Sequence, residues 1–226
     1  MLTPIRLSGG VKNENGSDIL DALKPGETVI IEYDSLTSPV ACFHYIVKWA
    51  KERGHRIVID DVLDTLYLYR AHLKLAGIDV RDIDDVEVIK EAGLLDVGKV
   101  VARLELKQYA IRKVEYERVY EPLLERGVVV DIVLGSEKLF VISDIKAGMN
   151  LINAILSYTG DERRIAFYFI NKDLLEINNP RILPLLEEVA TTVIKMTKEK
   201  SQYLLSVMKS ITPEIEGVTL PLKRDY

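Results

Sequence analysis

Residues 27–54 read ETVIIEYDSLTSPVACFHYIVKWAKERG, and this stretch decides the fold of the chain. Its first part, Val29 to Tyr33, is a short apolar run that is typical of a buried strand. Ser38 and Pro39 favour the start of a helix, with serine as the cap and proline in the first helical position. Apolar residues then recur at helical spacing up to the glycine at position 54. The stretch therefore predicts a strand, a loop and a helix.

The loop from Tyr33 to Val40 has the position of a phosphate-binding loop of the form G-x-x-x-x-G-K-S/T. Such a loop needs glycines, which let backbone N–H groups approach the phosphates, and a lysine that pairs with the β- and γ-phosphates. The loop contains neither residue type. Leu36 carries a side chain where a glycine would give room, Pro39 lacks an N–H, and Asp34 adds negative charge. We therefore predict a degenerate phosphate loop.

The candidate anion-binding residues of this loop are Asp34, Ser35, Thr37 and Ser38. Thr37 or Ser38 can stand near the hydroxyl position that binds Mg²⁺, or Ser38 can serve only as the helix cap. The N-terminus of the following helix carries the positive end of its dipole, so a free phosphate or a carboxylate can bind there. Apart from such an anion or a residual nucleotide, we predict no cofactor and no metal.

Composition and charge are those of an ordinary globular protein, with 48% hydrophobic and 29% charged residues in a chain of 226. We predict one domain over residues 1–226, with the polar, glycine-rich part of 1–16 flexible.

The single Cys42, together with the lack of a signal-peptide pattern and of a long apolar run, predicts a cytoplasmic protein without a membrane span. A net charge of −5 argues against a general nucleic-acid binder. Many Lys, Glu and Arg beside only two Gln are typical of heat-adapted proteins.

Beyond the opening stretch, strand and helix patterns alternate along the chain. Strands are predicted at 56–59, 86–90, 99–106, 128–134 and 165–170, and helices at 64–76, 109–125 and from 144 and 179 onward. The pattern of 137–142 does not decide between the two. The last forty residues change period and predict strands at 191–197, 202–207 and 217–222, the first two joined in a hairpin. This order predicts an α/β fold with a mostly parallel sheet between helices and antiparallel strands at one edge.

Four segments resemble parts of the RecA/KaiC-like ATPases. Pro25-Gly26 before the first strand looks like the family's approach to its P-loop strand, and RIVIDDV at 56–62 looks like its second strand, which ends in paired acidic residues. IAFYFIN at 165–171 stands where the Walker B strand would be, and LLSVMKS at 204–210 resembles a late strand that ends in a basic residue. The resemblance covers most of 23–224. It implies a three-layer RecA-like P-loop NTPase fold with antiparallel strands at the C-terminal edge.

More narrowly, the chain resembles a family of uncharacterised archaeal proteins related to these ATPases, in which the nucleotide motifs have degenerated. That family implies no activity that could be carried over to this sequence.

The wider resemblance also suggests roles for five residues. Asp60 and Asp61 match the paired carboxylates that activate the attacking water, although aspartates at strand ends are also common turn formers. Asn171 stands at the Walker B position, where an amide cannot supply the charge that stabilises Mg²⁺. Asp173 can substitute for it or cap the following turn. Lys209 matches the basic residue that reaches a neighbouring subunit's nucleotide, or it is a surface lysine.

Aromatic residues and histidines offer weaker signals. Tyr116 and Tyr120 are four residues apart and share one helical face, which favours packing in the core or at an interface over base stacking. The three histidines are too scattered to form a metal motif.

Three functions remain open. The leading hypothesis is a non-catalytic RecA-like protein that acts as a scaffold, a regulator or an assembly subunit. The alternative is a divergent nucleotide-binding protein or phosphate-ester hydrolase that uses Asp60, Asp61 and Lys209 in the crevice at the carboxyl ends of the strands. The third is a nucleic-acid-binding protein with a basic edge in the terminal strands, which the acidic net charge disfavours. That edge would consist of Lys195, Lys198, Lys200 and Lys209.

The resemblance to RecA relatives also implies self-association. We expect a homo-dimer or a small homo-oligomer, with the apolar segment Leu220-Pro221-Leu222 as one candidate surface. A protein partner fits the leading hypothesis as well.

Overall fold

The computed structural model describes residues 17–107, 109–200 and 202–222. The strands are β1 Thr28–Tyr33, β2 Arg56–Val62, β3 Glu87–Glu91, β4 Lys99–Leu104, β5 Val129–Leu134, β6 Arg164–Asn171, β7 Thr192–Glu199, β8 Gln202–Lys209 and β9 Thr219–Leu222. The helices are α1 Ser17–Asp21, α2 Val40–Glu52, α3 Thr65–Leu75, α4 Arg81–Asp84, α5 Tyr109–Leu124, α6 Ser136–Ile142, α7 Ile145–Tyr158, α8 Lys172–Asn178 and α9 Ile182–Val189. Residues 1–16, for which we predicted flexibility, lie outside the described residues.

Across the described residues the strands form one sheet in the order β4-β3-β2-β5-β6-β1-β7-β8-β9. Neighbouring strands from β4 to β7 are parallel, whereas β8 and β9 are antiparallel additions at one edge. β1 lies between β6 and β7, and its last residue, Tyr33, is opposite Asn171 of β6. The predicted mostly parallel sheet with antiparallel strands at the C-terminal edge is confirmed.

Helices cover both faces of this sheet because its central strands are apolar on both sides. On one face, Phe43 of α2 joins Ile59 of β2 in a buried cluster. On the opposite face, Tyr120 of α5 packs with Val58 of β2, and α7 contributes Ile152 to a third cluster. Successive residues of a strand therefore enter different cores, which decides where the two aspartates of β2 point.

The observed elements differ from the sequence prediction at their ends and in two short helices, α4 and α8, which were not predicted. Residues 137–142, which the pattern left undecided, belong to helix α6, and the strand predicted over 99–106 ends at Leu104. Pro122 lies in the last turn of α5, two residues before its end, so its missing N–H removes only one bond of that turn. The predicted hairpin joins β7 and β8, and Lys200 there adopts a φ of 55°. No helix among the described residues is long and apolar enough to cross a membrane.

Candidate functional site

The loop from Tyr33 to Val40, hereafter the altered loop, is tied to the end of β6 by hydrogen bonds. The backbone N–H of Ser35 donates to Oδ2 of Asp173 over 2.8 Å, and Nδ2 of Asn171 lies 3.1 Å from the hydroxyl oxygen of Ser35. Asn171 also caps α8, because its Oδ1 accepts the N–H of Asp173. Capping was one of the two roles that we predicted for Asp173. The structure gives that role to Asn171 and leaves the Asp173 carboxylate free to reach the loop.

The next two N–H groups of the loop are also used within the chain. Leu36 donates to Oδ1 of Asp34 over 3.0 Å, and Thr37 donates to the Asp34 carbonyl over 3.0 Å. These bonds form an Asx-turn, in which the side chain of an aspartate accepts a hydrogen bond from the backbone N–H two residues later. Three successive N–H groups, at 35, 36 and 37, are thus occupied by oxygen atoms of the protein, two of which belong to carboxylates.

Ser38 does not cap the helix that follows the loop, and this prediction is wrong. Helix α2 begins at Val40 with Pro39 in the N-cap position, and no side chain makes a capping hydrogen bond. Pro39 itself has near-helical angles, with φ −79° and ψ −4°, and its carbonyl accepts the N–H of Phe43. The serine therefore precedes the cap by one residue.

A buried acid that the sequence analysis missed lies close to the end of β1. Glu137 of α6 is 2% exposed, and its Oε2 has no hydrogen-bond partner in the part of the chain that the structure describes. Burial raises its pKa to about 7. Its charge adds to the effect of burial in raising the pKa of Tyr33, whose hydroxyl lies 3.2 Å from that of Tyr69. The undecided pattern of 137–142 concealed this residue.

Asp60 and Asp61, which we treated as a pair, point to opposite faces of β2. Oδ2 of Asp60 accepts a hydrogen bond from the Tyr116 hydroxyl on the α5 side, at 2.6 Å. Oδ1 of Asp61 accepts the backbone N–H of Leu66 at the start of α3. Alternation of side chains along a strand explains the separation. The two carboxylates do not act on one substrate atom in this arrangement.

Asp61 instead belongs to a buried ion cluster built around Lys90 of β3. Nζ of Lys90 lies 2.8 Å from Oδ2 of Asp61 and 2.7 Å from Oδ1 of Asp64, and it donates to the Leu95 carbonyl over 2.7 Å. The side chains of Lys90 and Asp61 are each only 1% exposed. All three protons of the ammonium group have acceptors, so the cluster holds β2, β3 and the following loop together.

Lys209 lies away from both aspartates and from the loop. Its Nζ donates to the carbonyls of Glu187 and Glu188, over 2.8 and 3.2 Å, in the last turn of α9. It therefore satisfies carbonyls that a helix end leaves unpaired. In the β7–β8 ladder it pairs with Val193, next to the first residue of β7, whereas the loop leaves the carboxyl end of the parallel strand β1.

The proposed basic edge is similarly engaged. Besides Lys209, the edge would include Lys195, whose charge lowers the pKa of Glu32. Burial of Glu32 and the neighbouring Glu187 carboxyl outweigh that effect, and the pKa of Glu32 rises to about 7. Two of the four predicted basic residues thus interact with groups of the chain itself.

A cavity lies on the face of the sheet opposite α2, under α5, α6 and α7. This cavity, hereafter the α5–α7 cavity, has a volume of about 90 Å³. One part of its wall is apolar, with Val133, Leu139, Phe140, Leu151, Ala154 and Ile155. The other part carries Asp60, Glu91, Arg112, Lys113, Tyr116, Glu117, Ser136, Tyr158, Arg164 and Tyr168. Tyr116 and Tyr120 pack with their ring centroids 5.0 Å apart. Tyr120 is buried and Tyr116 is partly buried against the same core cluster, which is one of the two placements that we predicted.

Buried charges beside this cavity come from positions inside apolar strands. Arg164 lies 2.8 Å from Oδ2 of Asp131, and the Tyr120 hydroxyl donates to the same oxygen over 2.7 Å. The Arg164 guanidinium also lies over the Tyr158 ring, 5.0 Å from its centroid. We did not single out Asp131 or Arg164 from the sequence. Each is a charged residue within or beside a strongly apolar run of the sequence. A charged residue at such a position is rarely buried unless it is paired, and this pattern is the signal that could have identified both.

No group of three or more His, Cys, Asp or Glu side chains within 17–107, 109–200 and 202–222 is arranged to hold a metal ion. Polar groups of the described chain also converge in the altered loop and in the wall of the α5–α7 cavity.

Comparison with known proteins agrees with this fold. A family model described as "Pyrococcus protein of unknown function, DUF257" matches residues 18–221. The protein PH0250 from Pyrococcus horikoshii OT3, whose structure is solved, is 36% identical, and the match covers 93% of this chain and 100% of that chain with a TM-score of 0.83. No curated protein matches the sequence.

More distant solved structures share the fold alone. The KaiC-like protein PH0186 from the hyperthermophilic archaeon P. horikoshii OT3 is 17% identical, covering 87% of this chain and 85% of its own with a TM-score of 0.56. The uncharacterized P. horikoshii protein PH0321, solved in complex with an unknown peptide, is 14% identical, covering 83% and 86% with a TM-score of 0.55. The predicted RecA/KaiC-like α/β fold is confirmed.

Proposed function

The chain belongs to the DUF257 family of Pyrococcus proteins of unknown function, and from this premise we propose that it is a RecA-like protein that works without nucleotide, as a scaffold, a regulator or an assembly subunit. Its fold is that of a nucleotide-binding family, but the loop that would hold the phosphates is degenerate. We also propose that the chain is one domain, which the continuous sheet from β4 to β9 supports.

The bond from the Ser35 N–H to the Asp173 carboxylate carries this proposal. In a working phosphate loop the backbone N–H groups point at the ligand and the helix end favours its negative charge. Here a carboxylate of the protein takes the place of that anion, and Asp34 takes the next N–H. A polyphosphate would have to displace both carboxylates or lie beside them. In the second case its negative charges and those of the carboxylates would repel each other.

Calorimetric titration with ATP and Mg²⁺ tests the proposal directly. We expect no binding at millimolar nucleotide, and a clear micromolar affinity would falsify the idea. The double variant Asp34→Asn/Asp173→Asn is the matched comparison, because it removes two negative charges at nearly constant shape. Weak binding of inorganic phosphate by the variant, but not by the unaltered protein, would support occupation of the loop by its own carboxylates.

The hydrolase alternative finds less support. It requires Asp60, Asp61 and Lys209 to share one crevice, but they bind Tyr116, Lys90 and the end of α9, respectively. We therefore prefer the non-catalytic role. Loss of a measured phosphatase or ATPase activity in the Asp60→Asn/Asp61→Asn variant would reverse this preference.

For self-association, the exposed face of α7 supports a homo-dimer or small homo-oligomer better than the predicted segment near the C-terminus. Ile145, Met149 and Leu156 share one face of α7 and are 62%, 39% and 52% exposed. By contrast, Leu222 is buried. Pro221 lies in the edge strand β9, and proline is one of the devices by which edge strands avoid pairing with other chains.

Sedimentation velocity tests this surface. We expect the variant Ile145→Lys/Met149→Lys to shift the protein toward monomer. The matched control is Leu75→Lys, which charges an exposed leucine on α3, where the side chain is 87% exposed. Equal sedimentation of both variants and the unaltered protein would exclude the α7 face. A protein partner is the second form of this proposal, and the distant relative PH0321 was solved with an unknown peptide.

A further inference from the structure

The wall of the α5–α7 cavity includes Asp60, and one of its carboxylate oxygens is buried and satisfied by no group of the described chain. Asp60 is 3% exposed, and the Tyr116 hydroxyl occupies its Oδ2, whereas its Oδ1 has no hydrogen-bond partner among the described residues. A buried polar atom without a partner costs about 1–3 kcal/mol. Such an atom at the wall of a cavity marks a place where a ligand can supply the missing bond.

The other charges of the cavity wall are already paired. Oε2 of Glu91 lies 3.4 Å from Nη1 of Arg112, and Nζ of Lys113 lies 3.5 Å from Oε1 of Glu117. The remaining cation, Arg164, forms its ion pair with Asp131 just behind the wall, although its Nε and Nη2 atoms are also buried without a hydrogen-bond partner among the described residues. Two carboxyl groups, Asp60 and Asp131, thus face this one cation, and within the described residues Asp60 is the ionisable group of the wall that lacks an ion-pair partner. A cation is the ligand charge that would complete it.

The rest of the wall selects a ligand with a short apolar body. The rings of Tyr116, Tyr158 and Tyr168 line the polar part, and aromatic faces attract cations. The buried Ser136 hydroxyl, also without a partner among the described residues, adds a hydrogen-bonding point. A cavity of about 150 Å³ is known to take benzene, so about 90 Å³ holds roughly three or four non-hydrogen atoms. Lys113 and Glu117, whose side chains are each 40% exposed, form the part of the wall that meets solvent.

We propose that the α5–α7 cavity binds a short apolar molecule with a primary ammonium head, and that this head pairs with the carboxylate of Asp60. The proposal goes beyond the proposed function and is independent of it. The cavity lies on the face of the sheet opposite α2, so a titration with ATP does not test it.

The pH dependence of binding follows from the surroundings of Asp60. Burial raises the pKa of Asp60 well above its ordinary value, and the negative charges of Asp131 and Glu91 raise it further. The Tyr116 hydroxyl and the positive charge of Arg164 oppose this rise. The groups that line the wall or act on Asp60 belong to six elements, α5, α6, α7, β3, β5 and β6. They are Arg112, Lys113, Tyr116, Glu117, Tyr120, Ser136, Tyr158, Glu91, Asp131, Arg164 and Tyr168. Because the ammonium head needs an ionised carboxylate, affinity should increase as pH rises through the pKa of Asp60.

The test compares n-propylamine with 1-propanol and propionate, which have similar bodies and different head charges. Binding to the full chain is followed by the NMR shifts of the tyrosine rings and by calorimetry. We expect propylammonium to bind more tightly than propanol by about tenfold or more, because a hydrogen bond to a charged group contributes about 1.5–3 kcal/mol. Equal binding of the amine and the alcohol, preference for propionate, or no binding of the amine would overturn the proposal.

Two variants locate the site. Asp60→Asn should remove the preference for the amine and flatten its pH dependence, whereas Asp96→Asn, which alters an exposed partner of Arg103, should change neither. If Asp60→Asn does not fold, Ala154→Leu fills the cavity from α7 without altering Asp60 and should abolish binding. Retention of the preference for the amine in a folded Asp60→Asn variant, or of amine binding in Ala154→Leu, would show that the amine binds elsewhere, and the proposal would be wrong.

Discussion

Asp60 and Asp61 are adjacent in sequence, yet their carboxylates lie in different cores, one bound by the Tyr116 hydroxyl of α5 and the other by the Lys90 ammonium of β3. Asp61 joins an ion cluster in which the Lys90 ammonium group has an acceptor for each of its protons. Asp60 lines a cavity, and one of its carboxylate oxygens has no partner among the described residues. This relationship removes the simplest argument for hydrolysis, and it leads to several measurable consequences.

The first prediction concerns the ion cluster of β3. Lys90→Met should lower the free energy of unfolding by about 3–5 kcal/mol, because it leaves the Asp61 charge buried without a partner. Chemical denaturation monitored by circular dichroism measures the loss. The double variant Lys90→Met/Asp61→Asn should recover part of it, since the buried charge is then removed.

The control for this experiment is Lys99→Met on the neighbouring strand. Lys99 pairs with Asp85, but the two side chains are 64% and 66% exposed, so water already solvates both charges. We expect little change in stability. A similar loss in Lys90→Met and Lys99→Met would mean that burial of the pair is not what matters.

The second prediction concerns Glu137 and pH. Its pKa is about 7 in the folded chain and 4.5 when unperturbed, so folding favours the protonated form. Its contribution to stability is therefore fully present below pH 4.5 and is lost as pH rises through about 7. Relative to Glu137→Gln, the unaltered protein should lose up to about 3 kcal/mol of unfolding free energy across this window.

Urea denaturation at half-unit steps of pH measures this difference. The control is Glu216→Gln, which alters an exposed acid in the turn before β9. A constant difference between Glu137→Gln and the unaltered protein from pH 4 to 8 would contradict the raised pKa.

The third prediction concerns the glycine that begins α6. Gly135 has a φ of +80°, and a Cβ added there would press on the Thr65 hydroxyl and lie 2.7 Å from the Val62 carbonyl oxygen. Gly135→Ala should therefore destabilise the protein by roughly 3 kcal/mol or more, from backbone strain and overpacking together.

Gly54 provides the comparison, because its φ is +70° but a Cβ there would meet nothing within 4 Å. Gly54→Ala should cost only the strain of the backbone, about 1–2 kcal/mol. Thermal unfolding of the two variants separates the steric part from the conformational part. Equal losses would indicate that the contact with Thr65 and Val62 relaxes freely.

The fourth prediction concerns the bond that occupies the altered loop. The Ser35 N–H holds the pKa of Asp173 below its ordinary value of 3.8. The amide proton resonance of Ser35 should therefore shift on acidification with a midpoint below 3.8, as the carboxylate is protonated and the bond weakens. In Asp173→Asn the resonance should lose this titration. A midpoint at or above 3.8 in the unaltered protein would show that the bond is not formed in solution.

Much of the fold could be predicted from local patterns. The alternation of apolar strands and amphipathic helices, and the change of period after Thr191, are properties of short segments, and they sufficed for the parallel sheet with its antiparallel edge. The prediction of a degenerate loop rests on residue types alone, because the absence of glycine and lysine between Tyr33 and Val40 needs no coordinates. Even the separation of Asp60 from Asp61 followed from the alternation of a strand, a rule that we did not apply to them.

What the tertiary structure alone decided is which distant groups meet. Ser35 and Asp173 are 138 residues apart, and they meet because β1 and β6 are neighbours in the sheet. Likewise, Tyr116 reaches Asp60 across 56 residues, because α5 covers β2. Periodicity reports which face of a segment is apolar, but not which segment covers it. The occupied loop and the unpaired carboxylate beside the α5–α7 cavity therefore became visible only when the packing of helices on the sheet was known.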